Sequence, residues 1–143
     1  MRFWGIEPKV SFFAVPYALL AFYLNSTFGI WIPRLSRSGA ALVTVGVAMW
    51  LLCYLQVLGA YSKGKLLTTG CYFRVRHPIY SIWGLMIIPG FSLVVGGFML
   101  ALPFVYWLAV VGFISEEERA LEERLSDEWR SYVKRTGRFL PRI

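Results

Sequence analysis

Apolar residues occur along the chain in four long runs that are separated by short polar stretches. The runs cover about residues 10–24, 39–61, 79–95 and 98–114. A bilayer is crossed by roughly 20 residues of helix, and each run reaches or approaches that length. The pattern therefore predicts an all-α integral membrane protein with about four transmembrane helices.

Polar and helix-breaking residues indicate where these helices end or bend. The sequence Asn-Ser-Thr at 25–27 predicts a break after the first run, although that run could continue to Ile32, and residues 28–33 have an interfacial composition. The glycines at 96–97 predict a tight turn, so the last two runs should form an antiparallel hairpin. Pro89 and Pro103 predict kinks within that hairpin.

The tail that begins at Ser115 has a different pattern. Apolar residues recur there at helical spacing, with charged residues between them: Leu121, Leu125, Trp129, Tyr132 and Val133. This predicts a C-terminal amphipathic cytoplasmic helix that ends at residues 135–141. Residues 115–118 have the form of a capping box. If the fourth run instead continues unbroken into the tail, no helix begins at residue 115 and no cap is needed there. The glutamates would then have another role.

Composition and charge narrow the class of protein further. The chain has 143 residues, which favours one domain, and 57% of them are hydrophobic, which excludes an ordinary soluble domain. We divide it into the first two spans, 1–61, and a second half, 62–143. Its net charge is +7, but the basic residues flank apolar runs, so we expect contact with the lipid bilayer and not with nucleic acid.

The distribution of basic residues predicts the orientation of the chain. With four spans, 13 of the 15 Lys and Arg residues share one side with both termini, and only Arg34 and Arg37 lie on the other. The positive-inside rule makes the larger set cytoplasmic. The N-terminal residues 1–9 do not resemble a cleavable signal. We therefore expect a multi-pass protein with cytoplasmic termini, in the cell membrane if the organism is prokaryotic.

The two cysteines are far apart in sequence. Cys53 lies within an apolar run and Cys71 in a polar stretch, with no Cys-x-x-Cys motif. One histidine and two scattered thiols do not predict a metal site. A disulfide is possible, but free cysteines are commonly buried, so we expect two free thiols.

The most unusual stretch is the polar segment 69–80, which precedes the third run. It contains His77, the only histidine, beside Arg74 and Arg76. Pro78 suits the first turn of a helix, so the helix N-terminus should face these residues and form an anion pocket. The fourth run brings glutamates to the same side of the membrane. Carboxylates and aromatic rings together suit a zwitterionic or cationic ligand, such as a sulfonium or an ammonium.

Several short motifs occur in order along the second half. They are residues 66–80, which include Arg-His-Pro-x-Tyr at 76–80, then Glu-Glu-x-x-Leu ending at Leu121, then Tyr132 and the segment 135–141. Together these motifs, spread over residues 59–141, resemble the isoprenylcysteine carboxyl methyltransferase family, to which phospholipid methyltransferases are related.

The resemblance implies S-adenosylmethionine as the methyl donor, bound on the cytoplasmic side, with S-adenosylhomocysteine as the product. It implies catalytic roles for Glu117 and Arg76. The cofactor-binding residues implied by the resemblance are Leu67, Tyr72, Val75, His77, Tyr80, Glu118, Tyr132 and Arg135. Three consecutive glutamates, 116–118, leave the register of the acidic pair open by one residue.

The methyl acceptor stays open at this point. Residues 111–115 contain no arginine, where the prenylcysteine enzymes are basic, so we expect a small lipidic, isoprenoid-type or amphipathic acceptor, with a carboxylate as one option. One alternative is a phospholipid amine N-methyltransferase. Alternatives of another class are a membrane reductase with a nicotinamide cofactor and a non-catalytic membrane assembly protein. The oligomeric state is not predicted.

Overall fold

Four long helices make up most of the computed structural model, which describes residues 7–29, 36–63 and 69–141. Helix α1 is Glu7–Phe28, α2 is Ser36–Ser62, α3 is Pro78–Val95 and α4 is Leu102–Arg135. All four are long and apolar enough to cross a bilayer, which confirms the all-helical, four-span prediction at that level. Of the residues expected to be interfacial, 28–33, those at 30–33 lie outside the described residues.

The helices pack in the order α2, α3, α4, α1, so that α3 and α4 are central. The main core lies between α1, α3 and α4 and includes the fully buried residues Ala21, Met99, Val110 and Ile114. Large apolar side chains cover the outer faces of the helices, including Phe12, Leu19, Phe104 and Leu108. A surface this apolar is suited to lipid contact.

The break predicted at 25–27 is wrong, because α1 continues to Phe28. Asn25 is fully buried, and its side chain closes the turn between α3 and α4. Its amide donates to the carbonyl of Gly96 (3.0 Å), and its carbonyl accepts from the N–H of Phe98 (2.9 Å). A polar residue whose side chain is satisfied in this way can remain within a buried helix. Positive φ angles at Gly96 and Gly97 confirm the predicted tight turn.

Helix α3 begins at Pro78 as predicted, and its irregularity lies just before Pro89. Residues Trp83–Ile87 form a π-helical turn. Such a turn accommodates a proline that cannot bond to the preceding turn of the helix. The kink predicted at Pro103 is wrong, because this proline lies in the first turn of α4. Backbone N–H groups in the first turn make no intrahelical hydrogen bond, so proline disrupts nothing there.

The tail does not form a helix of its own from Ser115. Helix α4 runs unbroken through the glutamates, so residues 115–118 do not cap a helix. The break lies at Ser126, which has φ 40° and ψ −107°, and the helical residues after it fold against the preceding part of α4. The apolar tail residues were predicted to share one face of a single helix. They lie instead on both sides of the break and meet in a cluster built around Leu121, Trp129 and Tyr132.

Candidate functional site

The polar segment before α3 is attached to α2 by three interactions. Cys53 and Cys71 form a disulfide, with their Cα atoms 5.7 Å apart, so the expectation of two free thiols is wrong. The N–H of Cys71 also donates to the side-chain oxygen of Gln56 (3.0 Å). Gly70 has φ +63°, and a Cβ there would lie 2.3 Å from the same oxygen. The sequence separation of 18 residues hid this pairing, because Cys71 lies beyond the end of α2 and contacts Cys53 only in the folded chain.

The same segment is attached on its other side to the C-terminal residues. Val75 and Gly137 form a parallel β-bridge, and the N–H of Arg76 donates to the carbonyl of Gly137 (2.8 Å). The Tyr132 hydroxyl donates to the carbonyls of Tyr72 (2.7 Å) and Val75 (3.2 Å). Burial raises the pKa of Tyr132 to about 12 against the opposing effect of nearby arginines, so it stays a donor at neutral pH.

Between these attachments, five predicted site residues converge on one polar cluster. The Nε of Arg76 lies 3.2 Å from Oε1 of Glu118, and Nε2 of His77 lies 3.0 Å from the same oxygen. The Tyr80 hydroxyl donates to Oε2 of Glu117 (2.9 Å). His77 Nδ1 lies 3.9 Å from Oε1 of Glu117, so the imidazole stands between the two carboxylates.

Arg138 is a member of this cluster that the sequence did not single out. Its Nη2 lies 2.7 Å and its Nε 3.2 Å from the two carboxylate oxygens of Glu118. Arg135, which was predicted to bind the cofactor, lies instead over the ring of Tyr132 (5.9 Å) and is exposed. The β-bridge at Gly137 explains the difference, because it turns residue 138 toward Glu118.

Glu118 is strongly held in its ionised form. Burial alone would raise its pKa, but hydrogen bonds from His77 and Arg138, together with their charges, lower the pKa of Glu118 to about 2. Glu118 is thus a fixed anion at neutral pH.

A groove of about 500 Å³ lies beside the cluster, between the parts of α4 before and after Ser126. Its volume falls within the usual range for small-molecule sites. The groove is lined by Ser115, Glu118, Arg119, Glu122, Trp129, Arg130, Val133 and Lys134. Of the predicted site residues only Glu118 is among them, so the groove meets the polar cluster at this residue.

The remaining predicted residues form a supporting layer or lie elsewhere. Tyr72 packs on the cluster of Leu121, Trp129 and Tyr132, and the carbonyl of Val75 accepts the Tyr132 hydroxyl. Leu67 lies outside the described residues. Ser81, which the sequence also did not single out, donates to the carbonyl of Phe139 (2.6 Å) and holds the C-terminal segment on α3.

Comparisons with models of known protein families, with curated proteins and with solved structures each found no match to this chain. Within residues 7–29, 36–63 and 69–141, no three His, Cys, Asp or Glu side chains are grouped so that they could hold a metal ion.

Proposed function

We propose that this chain is an integral membrane methyltransferase that uses S-adenosylmethionine and acts on a small lipidic or isoprenoid-type acceptor. Its site would lie at the cytoplasmic ends of α3 and α4, with both termini in the cytoplasm. The observation that carries the proposal is the convergence of Arg76, His77, Tyr80, Glu117 and Glu118, from two distant motifs, beside a groove of small-molecule size.

The donor set of the site fits this cofactor. S-adenosylmethionine carries a sulfonium, a carboxylate and ribose hydroxyls. Glu118 offers a fixed negative charge for the sulfonium, and Arg119 and Arg130 on the groove offer cations for the carboxylate. Glu117 and Tyr80 offer an acceptor and a hydroxyl within one hydrogen-bonded pair.

The cofactor supplies an activated methyl group, so the protein mainly has to align the acceptor with it. A carboxylate acceptor needs no base. For an amine or thiol acceptor, Glu117 is the better base, because His77 and two arginines already occupy the oxygens of Glu118. Tyr80 would then hold Oε2 of Glu117 in place while the other oxygen receives the proton. A phospholipid amine would use the same arrangement.

One observation favours a second candidate, a non-catalytic membrane assembly protein. Within the described part of the chain, every buried side-chain nitrogen and oxygen has a hydrogen-bond partner. A polar cluster that is fully satisfied without a ligand can serve to hold a loop in place. A nicotinamide-dependent reductase has no comparable observation in its favour.

A titration of the purified protein in nanodiscs with S-adenosylmethionine and with S-adenosylhomocysteine, followed by calorimetry, tests the proposal. We expect saturable binding of both, and we expect His77→Ala and Glu117→Gln each to weaken binding or turnover at least about tenfold. Glu116→Gln is the matched control, since Glu116 is on the same helix but is exposed and pairs with Lys9. It should bind as the wild type does.

Absence of saturable binding in a folded wild-type protein would refute the methyltransferase proposal and leave the assembly role. Binding that is unchanged in both site variants would mean that the polar cluster is structural and that the cofactor binds elsewhere.

A further inference from the structure

Glu118 is shared by two arginines that are held to very different degrees. The Arg76 side chain is 11% exposed, and its Nη1 also donates to the carbonyls of Thr136 (2.9 Å) and Val133 (3.3 Å). The Arg138 side chain is 42% exposed, and among the described residues its guanidinium hydrogen-bonds to Glu118 alone. Arg76 is therefore a fixed partner of the carboxylate, and Arg138 is an exchangeable one.

The Arg138 side chain can leave Glu118 without any movement of the chain around it. Its carbonyl accepts the N–H of His77 (3.0 Å), and the neighbouring Gly137 bonds to Arg74 and Arg76 through its N–H and carbonyl. These bonds fix the backbone on both sides of the side chain. Because the Arg138 side chain is 42% exposed, water can solvate its guanidinium when it leaves Glu118, so Arg138 can be exchanged for another cation.

Glu118 also lines the groove, so a cation bound there competes with Arg138 for the same carboxylate. We propose that Arg138 is a specificity-determining residue, an exchangeable counter-ion of Glu118 that is displaced by the charged methyl donor and returns when that charge is lost. This inference rests on the proposed function. On transfer the sulfur–methyl bond breaks, its electron pair stays on sulfur, and the acceptor's electron pair forms the new bond to the methyl carbon. The sulfonium thereby becomes a neutral thioether.

The consequence is a preference that depends on the charge of the ligand. With the donor bound, Glu118 pairs with the sulfonium and with Arg76. With the product bound, Glu118 has lost one cation, and the Arg138 guanidinium regains the carboxylate that borders the groove. Arg138 thus weakens binding of the donor and has little effect on binding of the product.

The test is a comparison of dissociation constants for S-adenosylmethionine and S-adenosylhomocysteine in nanodiscs, by calorimetry. Arg138→Gln should tighten binding of the donor by up to about fivefold and change binding of the product by less than about twofold. Arg138→Lys keeps a cation but loses the two-point contact with Glu118, so it should give an intermediate ratio of the two constants.

Arg124→Gln is the matched control, because it removes an exposed arginine from the same helix that is not among the groove-lining residues and is not a hydrogen-bond partner of Glu118. It measures the general effect of one lost positive charge. If Arg124→Gln and Arg138→Gln change the ratio of the two dissociation constants equally, the exchange is overturned. An unchanged ratio in Arg138→Gln would overturn it as well.

Those results would leave the proposed function standing, because both ligands would still bind. If neither ligand binds to the folded wild type, the proposed function and this inference are both overturned. Should Arg138→Gln fail to fold, a ratio in Arg138→Lys equal to that of the wild type would also count against the exchange.

Discussion

Neutralising Glu118 should remove about 3 kcal/mol from the free energy of unfolding. Its side chain is 14% exposed and accepts hydrogen bonds from Arg76, His77 and Arg138. The pKa of Glu118 is lowered from 4.5 to about 2, because the bonds and charges of His77 and Arg138 outweigh the effect of burial. That difference corresponds to about 3 kcal/mol in favour of the carboxylate. It agrees with the roughly 3–5 kcal/mol that breaking a buried ion pair costs.

The variant Glu118→Gln keeps the shape of the side chain and removes its charge, so it isolates this electrostatic contribution. Unfolding by denaturant in detergent micelles at pH 7, followed by tryptophan fluorescence, gives the free energy. The matched control is Glu116→Gln, which lies two residues away on roughly the opposite face of the same helix, is 54% exposed and pairs at the surface with Lys9. An exposed pair of this kind is worth less than about 1 kcal/mol. Equal losses in the two variants would refute the reasoning.

The pH dependence supplies an independent check of the same reasoning. Because the folded-state pKa of Glu118 is below the unfolded value, its contribution is fully present above about pH 4.5 and is lost as the pH falls toward 2. The stability difference between the wild type and Glu118→Gln should therefore shrink to about half at pH 3. A difference that stays the same from pH 7 to pH 3 would mean that the Glu118 charge is not its source.

Three further predictions concern the attachments of the 69–77 segment and its side of the membrane. Tyr132→Phe should lower the free energy of unfolding by about 2 kcal/mol, because two backbone carbonyls lose a buried donor; a change below about 0.5 kcal/mol in denaturant unfolding would contradict this. Cys53→Ser should lower the unfolding free energy of the oxidised protein by up to about 3 kcal/mol, and dithiothreitol should abolish that difference. Alkylation of both cysteines in unreduced, unfolded wild type would refute the disulfide. In a cysteine-free background, Arg37→Cys should react with an impermeant maleimide in intact cells, and Lys63→Cys should not. Labelling of Lys63→Cys alone would mean that the predicted orientation is reversed.

The sequence predicted the helices well because apolar run length is a local property. It also predicted where α3 begins, since Pro78 fixes its own φ and lacks an N–H. It failed at Asn25 because helix propensity says nothing about a turn 71 residues away that supplies the hydrogen-bond partners. The break at Ser126 was missed for a related reason, because the residues around it continue the helical spacing of apolar positions.

The sequence singled out most residues of the polar cluster, but it did not predict all of the contacts between them. Motif order led to His77 and Glu118, which lie in contact. It singled out Arg135 and not Arg138, three residues further on, although Arg138 is the residue that pairs with Glu118. The choice between them depends on the β-bridge between Val75 and Gly137, a contact that no local pattern encodes.

The disulfide and the charge distribution have opposite implications for the same segment. Basic residues predict that Cys71 lies on the cytoplasmic side, where thiols are normally kept reduced. We expect the polar cluster to keep its position without the sulfur–sulfur bond, however, because Gln56 and the close approach of Gly70 also hold the segment on α2. The β-bridge and Tyr132 hold its other end. Reduction should therefore lower the free energy of unfolding while leaving His77 and Glu118 in contact. By the same reasoning, Cys53→Ser should be less stable than the wild type but should still bind the ligand.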